Sequence, residues 1–399
     1  MPTVAIRGLV FAGGSSASSA QAALPGLTSR MLMRGTKSRT KEQIGALLDD
    51  AGAIRTYSTS TFETIINAQS LSRDLSLLLD VLSDEIRNPA FGAEELIKTK
   101  QEMKAAVLRD DDNTSARATE RLTQLVYAKD HPYRAAGKEL LLTSLEAASK
   151  EDLVRFHQQR YSGANVILAI VGDVNAKQTI ALVEKYFGAL PKGERTKVAA
   201  NATVSGAPIR EAVTMRGKAS MNIIFGSASG LRRTDADYEA ALVGNAALGQ
   251  NAVSSRIGKR VRDTEGLSYS LASRFTMSDV LDGVWLINVN VAPQNLVKAM
   301  KSTREEIDKF AKEGITLEEV EIQKNFFAGN FQVNLGTNGG VAQSLITAER
   351  FGFGPKYLDD YPNRIRAVTK EQVDRAMKEH LRSDRLHVVV AGDLEKLPE

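Results

Sequence analysis

The 399-residue sequence contains no cysteine, and this absence excludes disulfide bonds, thiolate zinc sites and a cysteine nucleophile. It also has no apolar run that reaches the length of about 18 residues needed for a membrane-spanning helix. The N-terminus lacks the basic stretch and apolar core of a secretory signal peptide. We therefore expect a soluble protein whose compartment stays open, with the bacterial periplasm slightly favoured over the cytoplasm.

A strong excess of one charge sign is missing as well. Lysine and arginine total 52 against 48 acidic residues, so the net charge is only +4 and the two signs are interspersed. This balance gives no support to nucleic-acid binding. Hydrophobic residues make up 43% and charged residues 25% of the chain, which is typical of a globular protein with a real core. The length favours two domains.

An internal repeat divides the chain into two halves. Residues 145–174 align without a gap with residues 365–394, at a constant offset of 220. Each copy predicts a helix capped by Ser149 or Thr369, followed by an apolar strand that ends at Gly-Asp. Two further stretches align at offsets of 221 and 224. Their matched residues are Leu75, Glu85 and Ile86 with Leu296, Glu306 and Ile307, then Glu94, Glu95 and Lys100 with Glu318, Glu319 and Lys324.

A small, polar stretch with Gly and Pro at residues 190–208 reads as the linker between the halves. It predicts a boundary near residue 200 and domains at residues 1–200 and 201–399. The second half opens with a predicted strand at 209–215, before the strand at 220–229. The first half begins, at residues 3–14, with the counterpart of the later strand only. We therefore expect the first strand of the N-terminal domain to be missing and native residues to precede Met1.

The order of predicted elements favours an α+β fold. Thr40 and Gln43 predict a capping box for a helix with an apolar face, and another helix ends at Asn88-Pro89. Strands are predicted at residues 61–70 and 284–291. We expect two homologous domains, each a mainly antiparallel sheet with helices packed on one face.

Candidate catalytic groups are few. The four histidines are scattered, none has a second histidine three or four positions away, and His157 and His380 fall on helices with surface patterning. We interpret all four, including His131 and His387, as structural. Acidic runs at 94–95 and 110–112 are typical of solvated helix ends, and the glycine-rich stretch 337–340 of a turn. No nucleophile elbow, Walker loop or dinucleotide-binding fingerprint is present.

One segment does stand out, at residues 254–270, with the sequence SSRIGKRVRDTEGLSYS. It predicts a helix that ends at Gly266, with Arg262 in the last turn and Tyr269 on the strand that follows. Two hydrogen-bond donors on adjacent rigid elements could converge on one carbonyl or carboxylate group. Alternatively, Arg262 interacts with the helix dipole and Tyr269 packs in the core.

This segment resembles the C-terminal-domain signature of the M16 metallopeptidases, the pitrilysin and processing-peptidase type. In that family an Arg and a Tyr seven positions apart, the R/Y pair, contact substrate near the scissile bond. The resemblance assigns substrate binding to Arg262 and Tyr269. The first half is similar to an M16 domain through residues 25–40, 130–134 and 186–193. The duplication is also what the resemblance implies, because M16 subunits consist of two related domains.

The sequence departs from the family at the zinc motif. Catalytic members carry His-x-x-Glu-His before a Met-Leu-x-x-Gly-Thr segment, where two histidines bind zinc and the glutamate is the general base. Those positions here are Gly26, Leu27, Thr28, Ser29 and Arg30. A downstream glutamate ligand would fall near Ala105 or Ala106, with Glu102 about one turn away. We therefore expect no metal and no other cofactor in this chain.

The resemblance then implies a non-catalytic, substrate-binding subunit, or the rear half of a tandem fusion, in a heterodimeric M16 zinc peptidase. A partner with His-x-x-Glu-His would carry the zinc, and an extended peptide would lie along a sheet edge. No catalysis is expected from the chain alone. The main alternative is an architectural M16 protein without peptide processing. A second alternative is a self-sufficient zinc peptidase with displaced ligands.

Overall fold

A computed structural model describes residues 2–198 and 206–396. Its strands are β1 Thr3–Val10, β2 Ile54–Thr59, β3 Thr64–Leu71, β4 Val166–Gly172, β5 Arg210–Thr214, β6 Met221–Ala228, β7 Ser270–Thr276, β8 Val284–Val291 and β9 His387–Gly392. Its helices are α1 Leu24–Met31, α2 Lys41–Asp50, α3 Leu75–Arg87, α4 Ala93–Asp111, α5 Thr114–Val126, α6 Lys138–Ala147, α7 Lys150–Arg160, α8 Ala176–Phe187, α9 Tyr238–Leu248, α10 Leu296–Glu313, α11 Leu317–Leu335, α12 Asn338–Phe351, α13 Tyr357–Ala367 and α14 Lys370–His380.

The chain forms two compact units, and each unit takes segments from both halves of the sequence. The first unit comprises Met1–Leu108, Ala136–Ala199 and Val333–Leu358. The second comprises Arg109–Ala135, Ala200–Gln332 and Asp359–Glu399. The boundary predicted near residue 200 lies outside the described residues. The units differ from residues 1–200 and 201–399 because one helical segment of each half packs in the other unit.

The first unit is built on a four-stranded antiparallel sheet in the order β2-β3-β1-β4. One face of the sheet carries Ile6 and Ile66, which are fully buried in a core with Leu27 of α1 and Leu78 of α3. The opposite face is covered by α12 through a separate apolar cluster of Leu9, Ala169, Ala342 and Ile346. Both faces of this sheet are therefore buried by helices.

The second unit is built on a five-stranded sheet in the order β5-β9-β6-β8-β7. Only the β5–β9 pair is parallel. Trp285 is fully buried in its core, and the indole N–H donates to Asn245 Oδ1 at 2.9 Å. Helix α5 approaches β6 at Gly226, where a Cβ would lie only 2.5 Å from Leu122 Cδ2. The absence of a side chain at Gly226 thus lets this helix pack closely on the sheet.

The two sheets confirm the predicted class, a duplicated α+β fold with mainly antiparallel sheets. The prediction of helices on one face does not hold for the first sheet, because α12 covers its second face. Strand β9 is flanked by β5 and is buried along its length, whereas β4, its counterpart in the repeat, is an edge strand. No strand among residues 2–198 stands beside β4 as β5 stands beside β9. Consistent with this difference, most side chains of β4 are only half-buried.

The helix starts follow the capping signals of the sequence. Thr40, Ser149 and Thr369 each form a complete capping box, in which the side chain and backbone of the cap residue exchange hydrogen bonds with the third helical residue. Helices α4 and α11 both have 19 residues, and their ends correspond at the predicted offset of 224. Among the helices of the described part of the chain, none has both the length and the hydropathy for crossing a bilayer.

Glycine at the end of each repeated strand is a structural requirement, and this generates a stability prediction. Gly172 and Gly392 both have φ of +153°, and a Cβ on Gly172 would lie 2.2 Å from the Thr3 carbonyl oxygen. We expect Gly172→Ala to lower the free energy of unfolding by about 2 kcal/mol or more. Gly45→Ala is the matched control, because nothing lies within 4 Å of its Cβ position inside α2. This control should be neutral or stabilising by about 0.5–1 kcal/mol in urea unfolding. Equal midpoints for the two variants would contradict the prediction.

Candidate functional site

The segment that carries Arg262 and Tyr269 lies in the second unit, between α9 and β7. Residues Gly258–Thr264 form a π-helix, a rare conformation that occurs frequently at functional sites. Gly266, with φ of +62°, ends the helical stretch, and its N–H donates to the Arg262 carbonyl at 3.1 Å. The predicted end of the helix at Gly266 is therefore confirmed. Tyr269, which was predicted on the following strand, lies one residue before that strand begins at Ser270.

A cluster of charges anchors the π-helix to α10. The Arg260 guanidinium contacts Glu265 and Glu306 at 3.0 Å each, and it also pairs with Glu305. The Ser302 hydroxyl donates to Glu265 at 2.7 Å. Burial opposes ionisation of Glu265, but the hydrogen bonds from Ser302 and Arg260 outweigh it, so the pKa of this carboxyl lies below its usual value. The Glu265 carboxylate accordingly stays charged near neutral pH, and its contact with Arg260 helps to keep the segment fixed.

A second anchor holds the start of the segment. Arg256 contacts the Glu319 carboxylate at 2.5 Å, and another of its N–H groups donates to the Gly314 carbonyl at 2.9 Å. The guanidinium also lies over the ring of Phe310, at 4.8 Å from its centroid. Residues 256 and 260 are therefore structural arginines.

Arg262 and Tyr269, in contrast, keep their donors available. Arg262 is half-buried, and its closest carboxylate is that of Asp263 at 3.9 Å, which is too long for a hydrogen bond. Tyr269 is 89% exposed, and its hydroxyl has no hydrogen-bond partner within residues 2–198 and 206–396. The alternative in which Tyr269 packs in the core is therefore wrong. Both side chains project from the same anchored segment as free hydrogen-bond donors.

The family's zinc positions lie on α1 in the first unit. Gly26 faces α4, since a Cβ there would lie 3.5 Å from Cε of Met103. Ser29 is buried and its hydroxyl has no partner, while Arg30 is exposed to solvent. Zinc in proteins is held by imidazole, thiolate or carboxylate groups. A glycine, a hydroxyl and a guanidinium do not fit it.

The residues at the position of the family's third zinc ligand are also unsuitable for binding zinc. Ala105 and Ala106 carry only methyl groups on α4. The carboxylate of Glu102, one turn away, is bound by Arg34 at 2.5 Å. Across the described part of the chain, no three His, Cys, Asp or Glu side chains form a group that could hold a metal ion. The residues present at these positions therefore do not fit a zinc ion.

The histidines lie in structural environments. Three are buried (His131, His380 and His387) and His157 is half-buried. The prediction that His380 lies on a surface face is wrong, because its Nδ1 meets the Ser229 carbonyl at 2.8 Å inside the second unit. Ring nitrogens of the others also meet backbone groups: His131 with Tyr133, His157 with Ile86, and His387 with Ile209.

Sequence reasoning missed that one repeated glutamate binds an arginine in both copies. Glu85 is fully buried, and its carboxylate accepts from Arg55 at 2.7 Å and from the Tyr57 hydroxyl at 2.9 Å. Its counterpart at offset 221 is Glu306, which holds Arg260 in the second unit. The repeat alignment could have indicated this role, because it matches Glu85 with Glu306.

The structure thus defines a duplicated α+β protein with an anchored Arg–Tyr segment in one copy and no zinc ligands at the corresponding catalytic positions of the other. Residues 2–137 match a family model described as Insulinase (Peptidase family M16), and residues 147–327 match the Peptidase M16 inactive domain. The chain belongs to the M16 peptidase family.

Relatives and solved structures agree with this assignment. An uncharacterized zinc protease of Mycobacterium tuberculosis is 26% identical over 369 residues, which cover 91% of this chain and 82% of the relative. A probable mitochondrial-processing peptidase subunit beta of Schizosaccharomyces pombe is 22% identical over 386 residues, 92% and 81% of the two chains.

Two solved structures share the fold. A peptidase M16 inactive domain from Pseudomonas fluorescens has a TM-score of 0.90 at 24% identity, covering 100% of this chain and 95% of that one. The periplasmic protease PqqL from Escherichia coli has a TM-score of 0.80 at 14% identity. Here the match covers 100% of this chain and 43% of PqqL.

The buried histidines predict a loss of stability on acidification. Burial lowers the pKa of His131, His157 and His387 below the ordinary value of 6.5. Because the folded state favours the neutral ring, this stability is fully present above about pH 6.5 and is lost as the pH falls towards the lowered pKa values. We expect the melting temperature to fall between pH 7 and pH 5.5, which calorimetry can measure.

His387→Asn should reduce that pH dependence. His387 Nδ1 accepts from the Ile209 N–H at 3.2 Å, and an asparagine Oδ1 can accept the same hydrogen bond without titrating. The slope of melting temperature against pH should therefore be shallower in the variant. A slope identical to that of the unsubstituted protein would show that His387 does not contribute.

The unsuitable donor set predicts that the chain purifies without stoichiometric zinc. After incubation with zinc chloride and dialysis, metal analysis should find well below one zinc per chain, because no ligand group occupies the family's positions. A catalytic M16 subunit with an intact motif, treated in parallel, is the control. One tightly held zinc per chain would overturn the assignment of these positions.

Proposed function

We propose that this chain is the non-catalytic, substrate-binding subunit or half of a bipartite M16 zinc peptidase. It contributes Arg262 and Tyr269 to bind peptide, while a partner with the His-x-x-Glu-His motif carries the zinc. The observation that carries this proposal is the free Arg–Tyr pair on an anchored segment, in a chain without zinc ligands at the family's positions.

The chemistry of the pair suits a peptide backbone. A guanidinium presents several N–H donors in a fixed fork, and a phenol adds one O–H donor, so the two can bind carbonyl or carboxylate oxygens. Hydrogen bonds from a charged donor contribute about 1.5–3 kcal/mol, roughly twice those between neutral groups. Because Arg260 and Arg256 already fix the segment, little further ordering of its backbone is needed when substrate binds.

Strand addition has to take place away from β7. This strand directly follows Tyr269 and is an edge strand of the sheet. The backbone groups in the middle of its outer edge already form hydrogen bonds within the chain. The Ser273 N–H donates to the Gly249 carbonyl at 2.7 Å, and the Ser273 carbonyl accepts from Asn245. The proposed role of the segment is therefore side-chain binding, with the extended peptide added to an edge strand elsewhere in the complex.

The relatives support this proposal through their descriptions. The mycobacterial relative is described as a zinc protease and the yeast relative as a processing-peptidase subunit, so peptides or unfolded proteins are the proposed substrates. The periplasmic location in the description of the PqqL structure supports the bacterial periplasm as the compartment. Hydrolysis itself belongs to the partner, and this chain binds and orients the peptide.

Reconstitution tests the role of the pair. Added to a zinc-bearing M16 partner, the chain should raise peptide hydrolysis, and Arg262→Ala should lower kcat/KM by about tenfold or more because a charged donor is lost. Tyr269→Phe removes only the hydroxyl and should have a smaller effect in the same direction.

Arg274→Ala is the matched control, since it removes an exposed arginine from the neighbouring β7. It should leave turnover unchanged, and all three variants should keep the melting temperature of the unsubstituted chain. If Arg262→Ala and Tyr269→Phe both hydrolyse peptide like the control, the proposed role is wrong and an architectural role takes its place.

A further inference from the structure

A cavity of about 380 Å³ opens in the first unit, near the C-terminal ends of α3, α7 and α8. All the residues that line it belong to this unit. Protein sites for small ligands are commonly of this size, from about 300 Å³ upwards. A cavity of about 150 Å³ is already enough for benzene. This one therefore has room for an aromatic ring and several further atoms.

Three aromatic rings line the cavity as a contiguous cluster. His157 stacks on Tyr161 with the ring centroids 4.8 Å apart, and Phe91 meets His157 edge-on at 5.8 Å. Phe91 is buried and has φ of +46°, a conformation that bulky residues rarely adopt and that persists only where surrounding contacts hold it. Aromatic rings pack well against a further ring or a bulky apolar group. The cluster therefore suits a ligand with such a group.

The charged residues that line the cavity are both basic. They are Lys37 and Arg87, and neither Asp nor Glu is among the lining residues. Within residues 2–198 and 206–396, neither cation has a carboxylate oxygen within 4.0 Å. Burial lowers the pKa of His157, and the charge of Lys37 acts in the same direction, so the ammonium lies near the aromatic cluster. The cavity thus combines an aromatic surface with two positive charges.

One carboxylate contacts a lining residue, but it is already engaged. The amide of Asn88 donates to one oxygen of Asp84 at 3.0 Å. The hydroxyl groups of Thr36 and Ser38 donate to the other oxygen at 2.6 Å each. Arg39 supplies the counter-charge at 3.5 Å. Asp84 is therefore balanced by its own partners and does not neutralise the cations of the cavity.

The helix ends beside the cavity are also satisfied. The C-terminal end of a helix carries partial negative charge on its free carbonyl groups. Here the Ile86 carbonyl accepts from His157 Nε2 at 2.7 Å, and the Tyr186 carbonyl accepts from one N–H of Arg87 at 3.0 Å. The ammonium of Lys37 and the remaining N–H groups of Arg87 are therefore available to an anion.

The repeat provides an internal comparison. At the offset of 220, His157 and Tyr161 correspond to Met377 and Leu381. Both of these side chains are buried in the apolar core of the second unit. The fold can thus fill these two positions with aliphatic side chains. A histidine and a tyrosine beside a cavity are specific to the first copy.

We propose that this cavity binds a carboxylate joined to an aromatic or bulky apolar group. Lys37 and Arg87 hold the carboxylate through charged N–H donors. The cluster of Phe91, His157 and Tyr161 packs against the apolar group. This chemistry is found in free aromatic acids and at the C-terminus of a peptide that ends in an aromatic residue. The site lies in the first unit and does not depend on the proposed function.

Histidine side-chain signals give a local readout, because the chain has four histidines and His157 lines the cavity. In the full chain labelled with ¹⁵N-histidine, titration with N-acetylphenylalanine should shift the His157 signal saturably in NMR spectra. The signals of His380 and His387, in the second unit, should stay unchanged. The signal that is missing from His157→Gln identifies this residue. The uncharged amide of the same ligand should bind about tenfold more weakly.

A matched pair of lysine variants tests the role of the charge. Lys37→Gln should weaken binding of N-acetylphenylalanine about fivefold, as expected for the loss of one exposed ion pair, and leave binding of the amide unchanged. Lys177→Gln is the control, because Lys177 is an exposed lysine of α8 in the same unit that does not line the cavity. Both variants should keep the melting temperature of the unsubstituted chain.

An octapeptide that ends in phenylalanine, prepared as the acid and as the amide, distinguishes the two sources of the ligand. Similar affinities of the peptide acid and N-acetylphenylalanine assign the cavity to peptide C-termini. Binding of N-acetylphenylalanine alone assigns it to a small aromatic acid, and either result supports the proposal. The proposal is wrong if N-acetylphenylalanine gives no saturable shift of the His157 signal, if acid and amide bind equally, or if the two lysine variants behave alike.

Discussion

Burial of both faces of each sheet is the constraint on which this structure depends. A sheet with apolar side chains on two faces needs helices on both, since exposed apolar area costs about 25 cal/mol for each Å². In the first unit, α12 from the second half of the sequence covers Leu9 and Ala169. In the second unit, α5 from the first half packs on β6 and meets it at Gly226. Neither half of the sequence therefore contains all the helices that its own sheet requires.

The duplicated copies share one glutamate position, but the arginine that binds it comes from a different place in each copy. Glu85 and Glu306 occupy corresponding positions, and each holds an arginine. In the first unit the pair stabilises the edge strand β2, because Arg55 lies on that strand. In the second unit the arginine is Arg260, so the pair fixes the π-helix that carries Arg262.

The two copies also differ in the side chains that are available to bind a ligand. On α1 and α4, the positions that the family uses for zinc carry a glycine, a hydroxyl, a guanidinium and methyl groups, and Glu102 is engaged by Arg34. In the second copy, Arg262 and Tyr269 are free. The unsuitable residues at the zinc positions of one copy and the exposed donors of the other are the two observations behind the proposed binding role.

Much of the architecture could be predicted from the sequence because its signals are local. The capping boxes at Thr40, Ser149 and Thr369 depend on residues three positions apart, and an offset in the repeat is sufficient to match α4 with α11. The absence of zinc ligands can likewise be predicted from the sequence, since the side chain of a glycine or an alanine cannot bind metal in any fold. Arg262 and Tyr269 could be selected as candidates because their segment resembles the C-terminal signature of the family.

The tertiary structure decided which partners these residues have. An amphipathic pattern shows that a helix has an apolar face, but it does not specify the sheet that this face covers, so the exchange of α5 and α12 could not be predicted. Arg260 and Arg262 are two positions apart and chemically identical, yet only the fold shows that carboxylates from α10 surround the first. The exposure of Tyr269 and the burial of His380 were decided in the same way. The sequence by itself determined the repeated elements and the missing metal ligands, whereas long-range contacts determined which side chains remain free to bind.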